Sequence, residues 1–154
     1  MSDPVADHVH LSRLQSRYAD VINRRAWGEL GELFEERAPI RIDTVTRPPV
    51  ELTGPAELAE FVGAAVERFA FFEFVILSSH VELPDPEDPD SASARLYMCE
   101  VRRDAGSLDW STAFGVYHDR YRRGPQGWRF SGRDYQSLTR TGGPVFPFPH
   151  HLSG

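Results

Sequence analysis

The run Trp110-Ser-Thr-Ala-Phe-Gly-Val-Tyr-His-Asp-Arg-Tyr121, the turn Gly124-Pro125-Gln126-Gly127 and the run from Trp128 to Leu138 decide the fold of this 154-residue chain. Aromatic and β-branched residues dominate both runs, and a Gly- and Pro-containing break separates them, as in two antiparallel strands joined by a tight turn. The strand-like pattern extends from Leu108 to Arg122 on the first side. Two more such runs precede it, Phe71 to Leu83 and Ala92 to Arg103. The acidic, Pro-rich segment from Pro84 to Asp90 separates those two, and Asp104-Ala105-Gly106-Ser107 forms the next turn. Four consecutive strands with short breaks form an antiparallel meander.

Upstream the periodicity changes. Leu11, Leu14, Tyr18, Val21 and Ile22 recur at three- and four-residue spacing, which predicts a helix over residues 7–23 with Tyr18 pointing inward. Trp27, Leu30, Leu33 and Phe34 predict a second, shorter helix. Residues 40–45 alternate and, with residues 50–52, predict an edge hairpin. Pro55 at a first helical position, followed by Leu58, Phe61, Val62, Ala65, Val66 and Phe69, predicts a third helix. Helices thus segregate from the meander, so the expected class is α+β, with one curved antiparallel sheet and three helices in the N-terminal half.

The chain carries 17 basic and 23 acidic residues for a formal charge of -6, which argues against gathering phosphate backbones and so against nucleic acid. A single cysteine, Cys99, excludes an internal disulfide and a thiolate metal cluster. The start Met1-Ser2-Asp3-Pro4 lacks a signal-peptide pattern, and no apolar run is long enough to span a membrane. A cytoplasmic protein without metal or nucleotide cofactor is expected. The strands are apolar on more than one face, so a homodimer through the sheet face is expected as well.

Tyr18-Ala-Asp-Val-Ile-Asn23-Arg-Arg-Ala-Trp27-Gly-Glu-Leu-Gly-Glu-Leu-Phe34, then Gly115-Val-Tyr117-His118-Asp119-Arg-Tyr121 and Gly127-Trp-Arg-Phe130, occur in an order and spacing that resemble the SnoaL-like branch of the nuclear-transport-factor-2-like superfamily. The resemblance runs from about residue 8 to residue 140. It implies a cystatin-like cone over residues 1–140 that encloses an apolar small-molecule pocket, followed by a Pro-rich tail over residues 141–154. Scytalone dehydratase, polyketide cyclases and ketosteroid isomerases share this fold, and so do relatives without catalysis. Dehydratase-like members place a Tyr on the first helix, an Asp five residues later and a His on the strand after the third helix. Eliminating water beside a carbonyl needs a base for the α-proton and a donor for the developing oxyanion, which His and Tyr supply.

In this chain the Tyr is present as Tyr18, but Asn23 stands at the acid's position and Phe74 near the histidine's. His80, six residues beyond Phe74, falls on the same side of the strand by simple alternation. Asp43 faces the pocket only if a bulge alters the alternation. The oxyanion donor of the isomerases aligns with Tyr117. The candidate catalytic residues are therefore Tyr18, His80 and Asp43, and the candidate ligand contacts are Asn23, Tyr117, Phe74 and Trp27. Asp119 and Asp134 read as strand-end charges, and His118 as facing away from Tyr117. Two functions remain open: a cofactor-independent dehydratase, isomerase or cyclase acting on a polyketide- or steroid-like carbonyl compound, and a ligand-binding or accessory protein that keeps the pocket without the chemistry.

Overall fold

The computed structural model describes residues 3–83 and 86–149. Helix α1 spans Pro4–Arg24. The Asp3 side chain accepts hydrogen bonds from the Val5 and Ala6 amides at its start, and Arg25, in the left-handed region, stops it. Leu11, Leu14, Tyr18, Val21 and Ile22 line its buried face, as their spacing predicts. The expected second helix is a single 3-10 segment, Trp27–Glu32, in keeping with two glycines in six residues. Strands β1 (Pro39–Asp43) and β2 (Val50–Thr53) form the edge hairpin. Helix α2, Gly54–Val66, opens on Gly54 at φ +80°, where a Cβ would lie 2.1 Å from the Glu36 carbonyl oxygen, so only glycine fits. It ends earlier than expected, because Phe69 already belongs to the next strand.

The meander follows as β3 (Phe69–Glu82), β4 (Ser91–Asp104), β5 (Trp110–Gly124) and β6 (Gly127–Arg140). The six strands order as β2-β1-β6-β5-β4-β3, antiparallel throughout except for β1 beside β6, which run parallel. Four register shifts interrupt the long strands, at Phe69/Phe71 and Ile76/Ser78 in β3, and opposite Phe114/Gly115 and Arg120/Tyr121, where residues 138 and 131 of β6 are the extra ones. The helices lie across the concave side, with α1 against β3 and β6. The core between them holds Leu11, Tyr18, Ile22, Leu33, Phe34, Ile40, Phe74, Leu96, Met98, Tyr121 and Phe130.

Two polar ties fix α1 on the sheet. At its C-terminal end the Asn23 amide donates to the Phe74 carbonyl at 3.1 Å and accepts from the Phe74 amide at 2.7 Å. These backbone groups point outward from β3, the last strand of the sheet, so one side chain replaces a missing neighbour strand. At its N-terminal end buried Asp7 accepts from Arg123 at 2.5 Å and from the Trp128 indole at 3.2 Å, which fastens the helix to the β5–β6 turn region. Beyond β6 the tail turns back. Val145 bridges to Thr139, the Phe146 amide donates to the Leu138 carbonyl, and the Phe148 ring lies 6.0 Å from Tyr97 on the convex face. The described tail residues therefore strap the convex side.

Candidate functional site

Cross-strand partners share a face, so the register shows which side chains enter the cone. The row Tyr117–Tyr135 lies beside Leu96, Asp119 opposes Arg133, and Tyr121 opposes Phe130, all on the concave side. Phe130 and Arg133 are three residues apart and would face opposite ways on a regular strand. The extra residue 131 brings both inside.

Arg133 is the centre of the site. Its guanidinium is 1% exposed and makes a bidentate pair with the equally buried Asp119, Nε to Oδ1 at 2.6 Å and Nη2 to Oδ2 at 2.8 Å. It lies 3.9 Å from the Tyr117 ring centroid, 4.2 Å from Tyr18 and 4.7 Å from Phe130, so aromatic faces supply the rest of its solvation. Burial works against this charge, yet Asp119 more than offsets it and holds the Arg133 pKa above its ordinary value. Its remaining nitrogen, Nη1, is buried without a hydrogen-bond partner. Tyr121 donates to Asp119 at 3.3 Å and accepts from Gln15 at 2.9 Å, which completes the inner network.

Tyr18 is buried against Phe34, Phe74 and Phe130, and the Arg133 guanidinium lies against both its ring and that of Tyr117. Burial raises the pKa of both phenols, against the opposing pull of Arg133. They remain neutral donors at physiological pH. The row Phe74–Glu100–Ala113–Arg140 crosses the sheet on the same face. The Glu100 side chain keeps about a quarter of its surface exposed and lies 3.5 Å from Arg102. Burial raises its pKa despite Arg102 and Arg140. Tyr135 lies over Gly115, where a Cβ would sit 2.2 Å from its ring, and accepts from Ser137 at 3.3 Å.

The remaining expected residues divide clearly. Phe74 is a core aromatic 5.4 Å from Tyr18. Asn23 spends its amide on the β3 backbone and offers none of it to a ligand. Trp27 packs on Gly63 and lines a separate groove of about 480 Å³ with Arg25 and α2. His80 is not on the side of Phe74: the shift at Ile76/Ser78 pairs it with Arg95 on the convex face, where its side chain is 61% exposed beside Glu82. Asp43 also faces outward, because β1 has no bulge, and it accepts the Val45 amide at 2.8 Å. Asp119 is no strand-end charge but the buried partner of Arg133. His118 faces the convex side, in a groove of about 440 Å³ with Arg95, Tyr97 and Phe148. Among the described residues no three His, Cys, Asp or Glu side chains gather as a metal-holding group, and no helix is long and apolar enough to cross a membrane.

Sequence reasoning missed Arg133, Asp119 and Glu100. A signal existed for Arg133 and for Glu100. Gly132 inside a strand pattern marks a possible bulge. Glu100 continues the inward alternation of Ala94, Leu96 and Met98. The SnoaL-like domain profile matches residues 3–134. The chain belongs to the SnoaL-like domain family. Solved structures agree on this fold. The hexachlorocyclohexane dehydrochlorinase LinA-type3 of Novosphingobium barchaimii superposes with a TM-score of 0.75 at 18% identity, covering 94% of this chain and 97% of that one. A provisionally named scytalone dehydratase from Novosphingobium aromaticivorans gives 0.76 at 15% identity over 97% of both chains. An NTF2-like protein with a cystatin-like fold from the same organism gives 0.71 at 20% identity, covering 87% of this chain and 83% of that one. The comparison with curated proteins gives no match.

Proposed function

We propose that the chain is a cofactor-independent lyase or isomerase for an apolar, carbonyl-containing substrate of the polyketide or steroid kind. One observation carries this reading: two neutral phenols, Tyr18 and Tyr117, and the unpartnered Nη1 of Arg133 belong to one buried cluster. Such a set stabilises an oxyanion, because each donor is held by packing before the charge develops. Asp119 keeps Arg133 charged and oriented and serves as its positioning residue. The similar structures named as a dehydratase and a dehydrochlorinase take their names from eliminations, which supports a lyase reading.

Titration with 4-nitrophenol tests the reading. The bound molecule is expected to ionise at lower pH than the free one, and Tyr18→Phe and Tyr117→Phe should each weaken the anion by on the order of tenfold. Equal affinity for the neutral phenol and its anion would overturn it. The second reading, a binding protein without chemistry, is favoured by the engagement of Asn23 with the backbone and by the apolar Phe74. It predicts nitrophenolate binding with no turnover of any elimination substrate. Residence in the cytoplasm and a homodimer through the convex face belong to the same proposal. Phe71, Trp110 and Phe114 are exposed on that face, and the dimer is checked by light scattering of Trp110→Glu against the parent chain.

A further inference from the structure

An oxyanion site needs a proton acceptor, and both acceptors expected from sequence face the convex side. The same concave face carries Glu100, on the row Phe74–Glu100–Ala113–Arg140. Glu100 stands directly across the β3–β4 ladder from Phe74, the position nearest the histidine in the family pattern. Cross-strand partners on one face have their Cβ atoms about 4.5–5.5 Å apart. A carboxyl group on β4 therefore reaches the space that an imidazole on β3 would reach. Asp119, the other inward acid, is fully engaged by Arg133 and Tyr121.

We propose that Glu100 is the catalytic base of this site, displaced by one strand from the family's histidine position; the proposal rests on the oxyanion reading above. The Cα–H bond of the substrate breaks and its proton passes to a Glu100 oxygen. The electron pair moves into the Cα–C bond, and the carbonyl oxygen becomes an oxyanion under Tyr18, Tyr117 and Arg133. The pair returns as the Cβ–oxygen bond breaks, and the leaving hydroxide takes the proton from Glu100 and departs as water. In an isomerisation the same proton returns at a different carbon. No further reactant enters the balance. Burial that disfavours the carboxylate strengthens it as a base, and Arg102 and Arg140 keep it from being protonated permanently. Its partial exposure also lets it exchange its proton with solvent.

The probe is 5-nitrobenzisoxazole, which opens when a base removes its ring C–H: the N–O bond breaks, a nitrile forms, and a coloured phenolate remains. The expected result is turnover by the parent protein that falls on the order of a hundredfold in Glu100→Gln, with nitrophenolate affinity unchanged. The rise of kcat/KM with pH should follow a group above the ordinary carboxylate range and vanish in the variant. Glu100→Asp, which keeps the carboxylate but shortens its reach, should retain that rise at a lower rate and serves if the Gln variant does not fold. Nitrophenolate binding with equal turnover in parent and Glu100→Gln, or with no turnover in the parent, would overturn the base and leave the oxyanion site standing. Loss of anion preference in the parent would bring down the oxyanion reading, and the base with it.

Discussion

Arg133 and Asp119 illustrate what a single buried pair does in this molecule. Removing one partner leaves the other charged and dry, so Asp119→Ala is expected to cost about 3–5 kcal/mol in urea unfolding. The double variant Arg133→Met/Asp119→Leu fills a similar volume without charge and should recover most of that stability while abolishing nitrophenolate binding, which separates the pair's role in recognition from its role in folding. Glu100 gives a pH-dependent counterpart. Its pKa is higher folded than unfolded, so the folded state holds the proton more tightly and stability falls as pH rises from about 4 through the folded value. Glu100→Gln should therefore melt higher than the parent at neutral pH, and thermal scans should show that advantage vanishing on acidification. Tyr18 was legible as an inward aromatic from helical spacing alone. Glu100 was equally legible from alternation, but its significance depends on Phe74 standing opposite, which is a fact of register.

The elements show why site residues are harder to read than strands. All four long strands and both α-helices follow from periodicity and turn chemistry, since a period of two or of 3.6 survives small errors. Facing does not survive them: one inserted residue inverts every side chain beyond it. The shift at Ile76/Ser78 turns His80 out of the cone, and the extra residue 131 turns Arg133 in. Deleting Ser131 should remove the irregularity and leave Phe130 and Arg133 two residues apart on the same face, so the variant is expected to keep cooperative unfolding in urea. Asn23 acts at the same scale. Asn23→Ala removes two hydrogen bonds from the free edge of β3 and should cost about 1–3 kcal/mol. Asn23→Asp, which restores the acid of the dehydratase pattern, still accepts from the Phe74 amide but sets a carboxylate against its carbonyl oxygen. It is expected to destabilise without raising elimination of 5-nitrobenzisoxazole, as chemical denaturation and the turnover assay would show together.

At the scale of the whole molecule, composition and element order were enough for an acidic α+β cone, while the position of the tail was not. Its prolines exclude a helix but not a direction, and only the pairing of Val145 with Thr139 sends it to the convex face. The parallel pairing of β1 with β6 has a further consequence. It joins residues 40–43 to residues 133–136, so the first strand made during synthesis must wait for the last one. Until β6 leaves the ribosome, α1 has lost one of its two supports and the β1–β2 hairpin has no sheet to join. Such non-local closure is slow, and it leaves apolar strand edges open in the meantime. Nascent chains halted at Gly124 should therefore be cut readily by protease, whereas chains extended past Arg140 with room to clear the exit tunnel should resist. For this protein the final strand is the event that commits the entire chain to its native state.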